Sequence, residues 1–98
     1  MELRYEDNEL ERRCTDERHM QRKLGAQVAK ALRLRLDELR RAAEMGDLLF
    51  FSGRWEELVG DRSGQWSGRL TANWRLIVNP DEGTITVLVV DIIDYHKS

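Results

Sequence analysis

The sequence Gly-Asp-Arg-Ser-Gly-Gln-Trp-Ser-Gly-Arg at residues 60–69, followed by Asn-Trp-Arg-Leu-Ile-Val at residues 73–78, decides the fold class of this chain. Successive residues of a β-strand point to opposite faces of its sheet. In the first stretch Trp66 and Arg69 therefore lie on opposite faces. In the second stretch Trp74 and Arg75 do the same. The two stretches predict neighbouring strands with one apolar face and one face that carries arginines.

Upstream of these strands, apolar side chains recur at steps of three and four residues, which is the spacing of one helix face. The clearest helical stretch begins at Ala26, and Gly46 is the predicted stop because glycine tolerates the left-handed conformation at a helix end. The predicted apolar stripe consists of Leu24, Val28, Leu32, Leu36, Leu39 and Ala43. We expect this stripe to pack against Trp66, Trp74 and Leu76 of the sheet.

Two shorter helices are predicted before the long one. Asp7 or Asn8 is the expected N-cap of the first helix, and Thr15 or Asp16 is that of the second. Short oxygen-bearing side chains suit these positions because they accept hydrogen bonds from the free amides of a first turn. Gly25 is expected to break or bend the chain before the long helix.

The chain after residue 78 predicts the rest of the sheet. Residues 79–83 (NPDEG) are a strong turn signal, and residues 85–92 are mostly apolar at both alternating sets of positions, which is typical of a central strand covered on both faces. Helices followed by consecutive antiparallel strands predict an α+β fold, with two or three N-terminal helices packed on one face of an antiparallel sheet of about four strands. Residues 1–98 are expected to form one domain with one core.

The overall charge argues against general binding to nucleic acid. The chain has 16 basic and 18 acidic residues, a net charge of −2, whereas general nucleic-acid binders are strongly basic. Residues 21–45, however, hold seven basic and three acidic side chains, net +4. Any contact with RNA must therefore use a local patch, and the long helix together with the strand arginines is the expected place.

Cysteine content and hydropathy indicate the compartment. Cys14 is the only cysteine, so no internal disulfide is possible and a reducing compartment fits. No apolar run approaches the length needed to cross a bilayer, and the first seven residues lack the basic and then apolar layout of a signal peptide. We expect a cytoplasmic protein with no membrane partner.

Three kinds of side chain are candidates for chemistry. His96 can transfer a proton near neutral pH, or it is a solvated histidine, and its neighbour Tyr95 shares a site with it only if the strand ends between them. Arg75 can bind phosphate through its forked donors or lie on the surface, as most arginines do. Glu56 and Glu57 are either a solvated acidic turn, or one of their carboxylates lies near an arginine and a histidine and acts as a general base.

Other chemistries lack their residues. Cys14 has no cysteine partner for a zinc site, and the two histidines are far apart in sequence. The glycine-rich residues 60–68 lack the lysine-serine ending of a phosphate loop, and the chain has no nucleophile elbow. No metal and no cofactor are expected.

The chain resembles the RelE/ParE superfamily of toxins, and within it the HigB-type or "plasmid killer" branch. Three blocks carry the resemblance: residues 58–67 (LVGDRSGQWS), residues 73–77 (NWRLI) and residues 94–96 (DYH). It implies a toxin of a type II toxin–antitoxin system that cleaves mRNA in the ribosomal decoding site by 2′-hydroxyl attack, without a metal. It also implies a cognate antitoxin of the helix-turn-helix, HigA-like type.

Two positions depart from the HigB pattern. That branch usually has histidine where Glu56 stands and lysine where Val59 stands, and the missing lysine removes a phosphate contact. The related YoeB branch is similar to this chain in having glutamate, arginine and histidine at the positions of Glu56, Arg75 and His96. This resemblance implies that Glu56 is the base, Arg75 the charge stabiliser and His96 the acid.

The same resemblance implies the residues that hold the substrate. Asp94 and Tyr95 match the HigB ending, where they help to position substrate and histidine, and Arg62 and Arg69 are the expected phosphate contacts. Two other functions stay open: a catalytically silent partner of an antitoxin in an operator-binding complex, and a ParE-like poison of DNA gyrase. ParE-like relatives generally lack the tyrosine-histidine ending, which favours the nuclease.

Overall fold

Three helices form the first part of the chain in the computed structural model, which describes residues 1–81 and 86–94. They are α1 (Asn8–Thr15), α2 (Glu17–Leu24) and α3 (Ala26–Arg41). None of the helices in these two ranges combines the length and the apolar character that crossing a membrane requires.

The helix starts follow the predicted capping. The carboxylate of Asp7 accepts a hydrogen bond from the Leu10 amide at 2.8 Å, and that of Asp16 accepts one from the His19 amide at 3.2 Å. Gly25 separates α2 from α3 with φ 83°, a left-handed conformation that glycine adopts without steric cost. The predicted N-caps are therefore resolved as Asp7 and Asp16, and the predicted break at Gly25 is confirmed.

The end of α3 differs from the prediction. The helix ends at Arg41 rather than Gly46, and Gly46 lies within a 3-10 helix, Met45–Phe50. The α-amino group of Met1 donates hydrogen bonds to the carbonyls of Leu39, Arg40 and Ala42 at 2.6–3.0 Å. These contacts satisfy the last carbonyls of the helix with a cation, which stabilises a helix C-terminus. The predicted stop at Gly46 was wrong: the chain leaves the helix at Arg41, and just beyond it the Asp47 carboxylate accepts hydrogen bonds from the amides of Ala43 and Glu44.

Five strands form one sheet in the order β1-β5-β4-β3-β2. Their bounds are β1 (Glu2–Tyr5), β2 (Glu56–Glu57), β3 (Trp66–Arg69), β4 (Trp74–Pro80) and β5 (Thr86–Asp94). Strands β2 to β5 pair antiparallel, as predicted, while β1 adds a parallel edge strand beside β5. The predicted α+β fold is confirmed, and β5 is a central strand.

The core lies between α3 and one face of the sheet. Val28, Leu32, Leu36 and Leu39 are buried, which confirms the middle of the predicted stripe. At one end of the stripe, residue 24 belongs to α2 and is half-buried against the core. The other end was wrong, because residue 43 is exposed while its neighbour Ala42 is buried instead. Both tryptophans of β3 and β4 are half-buried against this core, as the prediction requires.

The other face of the sheet carries the predicted arginines. The register pairs Arg69 with Arg75 and Ser67 with Ile77 across β3 and β4, and Ile77 with Asp91 across β4 and β5. These five residues therefore point to one side, opposite the helices. We call this side the arginine face.

Candidate active site

An open cleft of about 400 Å³ lies at the β2–β3–β4 side of the arginine face. Arg69 and Arg75 sit directly opposite each other in the register of β3 and β4. Glu56 of β2 lies opposite Ser67 of β3, next to them. The cleft is lined by Arg54, Trp55, Glu56, Arg69 and Arg75. The sheet thus brings together three of the residues predicted from sequence.

The two facing arginines concentrate positive charge in the cleft. Like charges directly opposite each other in a sheet repel. Nη1 of Arg75 offsets part of this repulsion, because it donates to the carbonyls of Thr71 at 2.8 Å and Trp74 at 2.9 Å. Nε of Arg69 is buried and has no hydrogen-bond partner among the residues that the structure describes. An anion in the cleft would offer this Nε group an acceptor.

Glu56 is the carboxylate of this cleft. It is exposed, and it occupies a short strand rather than the solvated turn that was the alternative. Its neighbour Glu57 pairs with Trp66 in the register and so points to the other side of the sheet. The acidic pair is therefore divided, with one carboxylate beside the arginines and one away from them.

Beneath the cleft lies a buried polar cluster that sequence reasoning missed. Trp55 is buried, and its indole Nε1 donates to the Glu38 carboxylate at 2.8 Å. The same carboxylate accepts from Ser52 Oγ at 2.9 Å and pairs with Arg35 at 3.5 Å. The side chains of Arg35 and Glu38 are only 9% and 5% exposed. The available sequence signal was that both follow Leu32 at three-residue steps, which puts two charges beside the apolar stripe.

The cluster fixes the wall of the cleft by close packing. A Cβ atom on Gly68 would lie 2.7 Å from the ring of Trp55, and one on Gly53 would lie 2.5 Å from Nη1 of Arg35. The backbone therefore approaches these side chains as only glycine can. The carbonyl of Gly53 also accepts a hydrogen bond from the Arg69 amide at 2.7 Å. Trp55 is thus packed against Gly68 of β3, and the backbone of Arg69 in the same strand is bonded to Gly53.

Arg54 has an unusual backbone conformation. Its φ is 50°, and it is the only residue other than glycine with a positive φ in residues 1–81 and 86–94. This left-handed conformation costs roughly 1 kcal/mol for such a residue. Its side chain is exposed and lines the cleft.

The remaining predicted site residues lie elsewhere or outside the description. Arg62 donates to Asp91 Oδ2 at 3.1 Å and to Gln65 Oε1 at 3.0 Å, so its charge is paired on the arginine face away from the cleft lining. Asp94 ends β5 opposite Trp74 and is half-buried. Tyr95 and His96 lie outside the described residues. Their predicted roles, and that of Arg62 as a phosphate contact, stay predictions.

The structure also bears on thiol chemistry and on metal binding. Burial raises the pKa of the Cys14 thiol to about 12, so this thiol is protonated near neutral pH and is a poor nucleophile. Across residues 1–81 and 86–94, no three His, Cys, Asp or Glu side chains are grouped to hold a metal ion.

Comparison with solved structures identifies the fold. A YoeB/ParE toxin from Agrobacterium tumefaciens superposes with a TM-score of 0.65 at 20% identity, over 96% of this chain and 98% of that chain. A YoeB-YefM complex from Staphylococcus aureus gives a TM-score of 0.66 at 18% identity, over 98% and 97%. A heterotetrameric YoeB-YefM toxin-antitoxin complex from the same organism gives 0.62 at 16% identity, over 98% and 97%. No family model and no curated protein matches the sequence. The chain has the fold of the YoeB- and ParE-type toxins.

Proposed function

We propose that this protein is the toxin of a type II toxin–antitoxin system and that it cleaves mRNA on the ribosome. The observation that carries the proposal is the facing pair Arg69 and Arg75 with Glu56 beside it in one open cleft. Such a cleft combines donors for a phosphate with a carboxylate that can accept a proton. The fold shared with YoeB- and ParE-type toxins supports the same reading.

The proposed reaction is a phosphoryl transfer within the RNA. Glu56 takes the proton of the 2′-hydroxyl, and the 2′-oxygen attacks the adjacent phosphorus. Arg75 stabilises the negative charge that develops on the phosphorane oxygens, where a positioned donor contributes most. The bond from phosphorus to the 5′-oxygen breaks, and His96 protonates that oxygen. The products are a 2′,3′-cyclic phosphate and a 5′-hydroxyl.

The other predicted residues are assigned to substrate binding. Arg69 is proposed to bind a phosphate, because it lines the cleft and its Nε has no hydrogen-bond partner among residues 1–81 and 86–94. Arg62 is proposed to contact phosphate after exchange of its ion pair with Asp91. Asp94 and Tyr95 are proposed to position substrate and His96.

The site combines features of two toxin branches. The aspartate-tyrosine-histidine ending is HigB-like, whereas glutamate at position 56 is YoeB-like, and the solved neighbours are named as YoeB or ParE toxins. Val59 is 86% exposed where the HigB pattern has lysine. We therefore infer a YoeB-like division of catalytic roles on a HigB-like sequence. Neighbours that are toxin-antitoxin complexes support a cognate antitoxin as partner, and the proposed type is helix-turn-helix, HigA-like.

The deciding experiment is single-turnover cleavage of a short message bound to ribosomes, with the ends of the products identified. We expect cyclic phosphate ends, and we expect Arg75→Ala and His96→Ala each to slow cleavage by roughly a hundredfold or more. Arg41→Ala is the matched control, because Arg41 is an exposed arginine on α3 paired with Asp37 at 3.0 Å. Cleavage that survives Arg75→Ala at the full rate contradicts the mechanism.

One observation favours a second function, the catalytically silent antitoxin partner. Nη1 of Arg75 is engaged by carbonyls of the β3–β4 turn, and this commits part of the guanidinium to the protein itself. Induced expression separates the possibilities. A toxin slows growth, and co-expression of the antitoxin restores it, whereas a silent partner leaves growth unchanged. Growth arrest with intact message and inhibited gyrase supercoiling would instead indicate a gyrase poison.

A further inference from the structure

Arg54 brings a third guanidinium to the cleft. Its side chain is exposed and lines the cleft together with Arg69 and Arg75, so three arginines face one glutamate there. Within residues 1–81 and 86–94, neither Arg54 nor Arg69 has a carboxylate partner at ion-pairing distance. Among the described residues, the lining of the cleft therefore carries two arginines, Arg54 and Arg69, that have no carboxylate partner.

The backbone around Arg54 is fixed by its neighbours. On one side the Gly53 carbonyl accepts from the Arg69 amide at 2.7 Å. On the other side the Trp55 indole donates to buried Glu38 at 2.8 Å. A chain fixed at both of these residues has to turn between them, and Arg54 makes this turn with φ 50°.

A residue suited to that conformation would be glycine or asparagine, since both tolerate positive φ. The chain has arginine there instead. Because this long charged side chain is exposed, its packing does not require the strained backbone. From this position the side chain lines the cleft together with Arg69 and Arg75. Strained positions that the surrounding structure holds in place cluster at ligand-binding sites.

We propose that Arg54 is a substrate-binding residue that contacts a phosphodiester of the single-stranded message next to the scissile one. This inference rests on the proposed function and adds a contact to the same cleft. Arginine suits the task because its planar fork donates two parallel hydrogen bonds to one phosphate. Arg75 then acts on the reacting phosphate, while Arg54 holds the neighbouring one and places the strand.

The test uses Arg54→Asn, which removes the charge and keeps a residue that tolerates positive φ. We expect an unchanged Tm, a rise in KM of about tenfold for ribosome-bound message, and little change in kcat, because the contact is made equally before and during the reaction. Arg54→Lys should recover part of the affinity. Arg54→Gly should have the parent Tm or a higher one, because glycine relieves the backbone strain.

A second measurement separates message from ribosomal RNA as the source of the phosphate. The probe is a free 2′-O-methyl RNA oligonucleotide, which binds but is not cleaved, titrated at several salt concentrations. Losing one phosphate contact should reduce the slope of log K against log salt by about 0.7. Arg18→Gln on α2 removes the same charge far from the cleft in sequence and should leave the slope unchanged. A KM effect without a slope effect would assign the contact to ribosomal RNA and overturn the message contact.

The outcomes also separate this inference from the proposed function. If Arg54→Asn leaves both KM and slope unchanged while Arg69→Ala weakens binding, the inference falls and the proposed function stands. If folded parent protein neither cleaves message nor binds the oligonucleotide, the proposed function falls and the inference falls with it. A lower Tm for Arg54→Gly with unchanged binding would give Arg54 a structural role and overturn the proposal.

Discussion

The helical part of the chain and the cleft differ in how their arginines are paired. Five of the eight arginines in α1 to α3 lie at ion-pairing distance from a carboxylate of the described residues, some of them one turn away, as in Arg13 with Glu9 and Arg41 with Asp37. In the cleft Arg69 lies opposite another arginine, and no carboxylate of the described residues pairs with it. Most helix arginines are therefore paired within the helical part, whereas the described residues offer Arg69 of the cleft no carboxylate partner.

The buried cluster under Trp55 joins these two regions. Arg35 and Glu38 belong to α3 by sequence, yet they contact the segment that forms the cleft wall. Their pairing differs from the exposed pairs in its surroundings, because both side chains are almost completely removed from water. A charge buried in this way is costly when its partner is lost.

The largest effect is therefore expected at Glu38. Glu38→Ala would leave the Arg35 charge buried and would remove the acceptor of the Trp55 and Ser52 donors. We expect a loss of about 3–5 kcal/mol in the free energy of unfolding, measured by urea denaturation. Asp37→Ala, next along the helix, removes an exposed pair with Arg41 and should cost about 1 kcal/mol or less. Equal losses for the two variants would show that the buried cluster is not what joins helix and cleft.

The next largest effect concerns the divided acidic pair. Glu56→Gln should slow cleavage of ribosome-bound message by roughly a hundredfold, the usual loss for a positioned base. Glu57→Gln is the matched control, since it lies one residue along and points to the other face of the sheet. Both residues are exposed, so neither variant should change Tm. A Glu57→Gln variant that is as slow as Glu56→Gln would remove Glu56 from the proposed role.

Local signals explain how much of the fold could be predicted from sequence. Caps at Asp7 and Asp16 and the break at Gly25 depend on residues only a few positions apart. The break was predicted, and each cap was predicted to within two adjacent residues. The strand pattern at residues 66–69 depends on alternation alone and was also found. The stop of α3 was missed although part of its signal is local, since the Asp47 carboxylate accepts from the amides of Ala43 and Glu44. The hydrogen bonds from Met1, which span about forty residues, leave no such pattern.

The candidate site shows the same division. Arg69 and Arg75 could be placed on one face from strand alternation, and Glu56 was indicated by resemblance to a toxin family. Arg54 and Trp55 could not be found, because their importance comes from contacts with α3 and from a backbone angle. A sequence pattern shows which residues share a face, but it does not show which distant helix supports them.

A smaller effect is expected at Gly53, where the segment of the cleft wall contacts the buried cluster. A Cβ on Gly53 would lie 2.5–2.6 Å from side-chain atoms of Arg35, Glu38 and Trp55. Gly53→Ala should therefore cost about 1–3 kcal/mol, the range for forcing extra atoms into a packed site. In Gly46→Ala the new Cβ would have its nearest neighbour at 3.6 Å, so this variant should be neutral or slightly stabilising. Thermal unfolding of both variants measures the difference, and a neutral Gly53→Ala would contradict the close packing.

The smallest effect is the pH dependence of the helical part. A hydrogen bond from His19 lowers the pKa of Glu9, and the His19 backbone amide lowers the pKa of Asp16. An acid whose pKa is lower in the folded state stabilises the fold above its unfolded pKa, and this contribution is lost as the pH falls through the folded pKa. With ordinary values of 4.5 and 3.8, Tm should start to fall as the pH drops below about 5. Both carboxylates are exposed to solvent, so the decline should be shallow.

Glu9→Gln should make the decline of Tm with falling pH shallower still, whereas Glu11→Gln, in the same first turn of α1, should leave the parent slope. If Glu9→Gln also keeps the parent slope, the contact with His19 does not stabilise the helices.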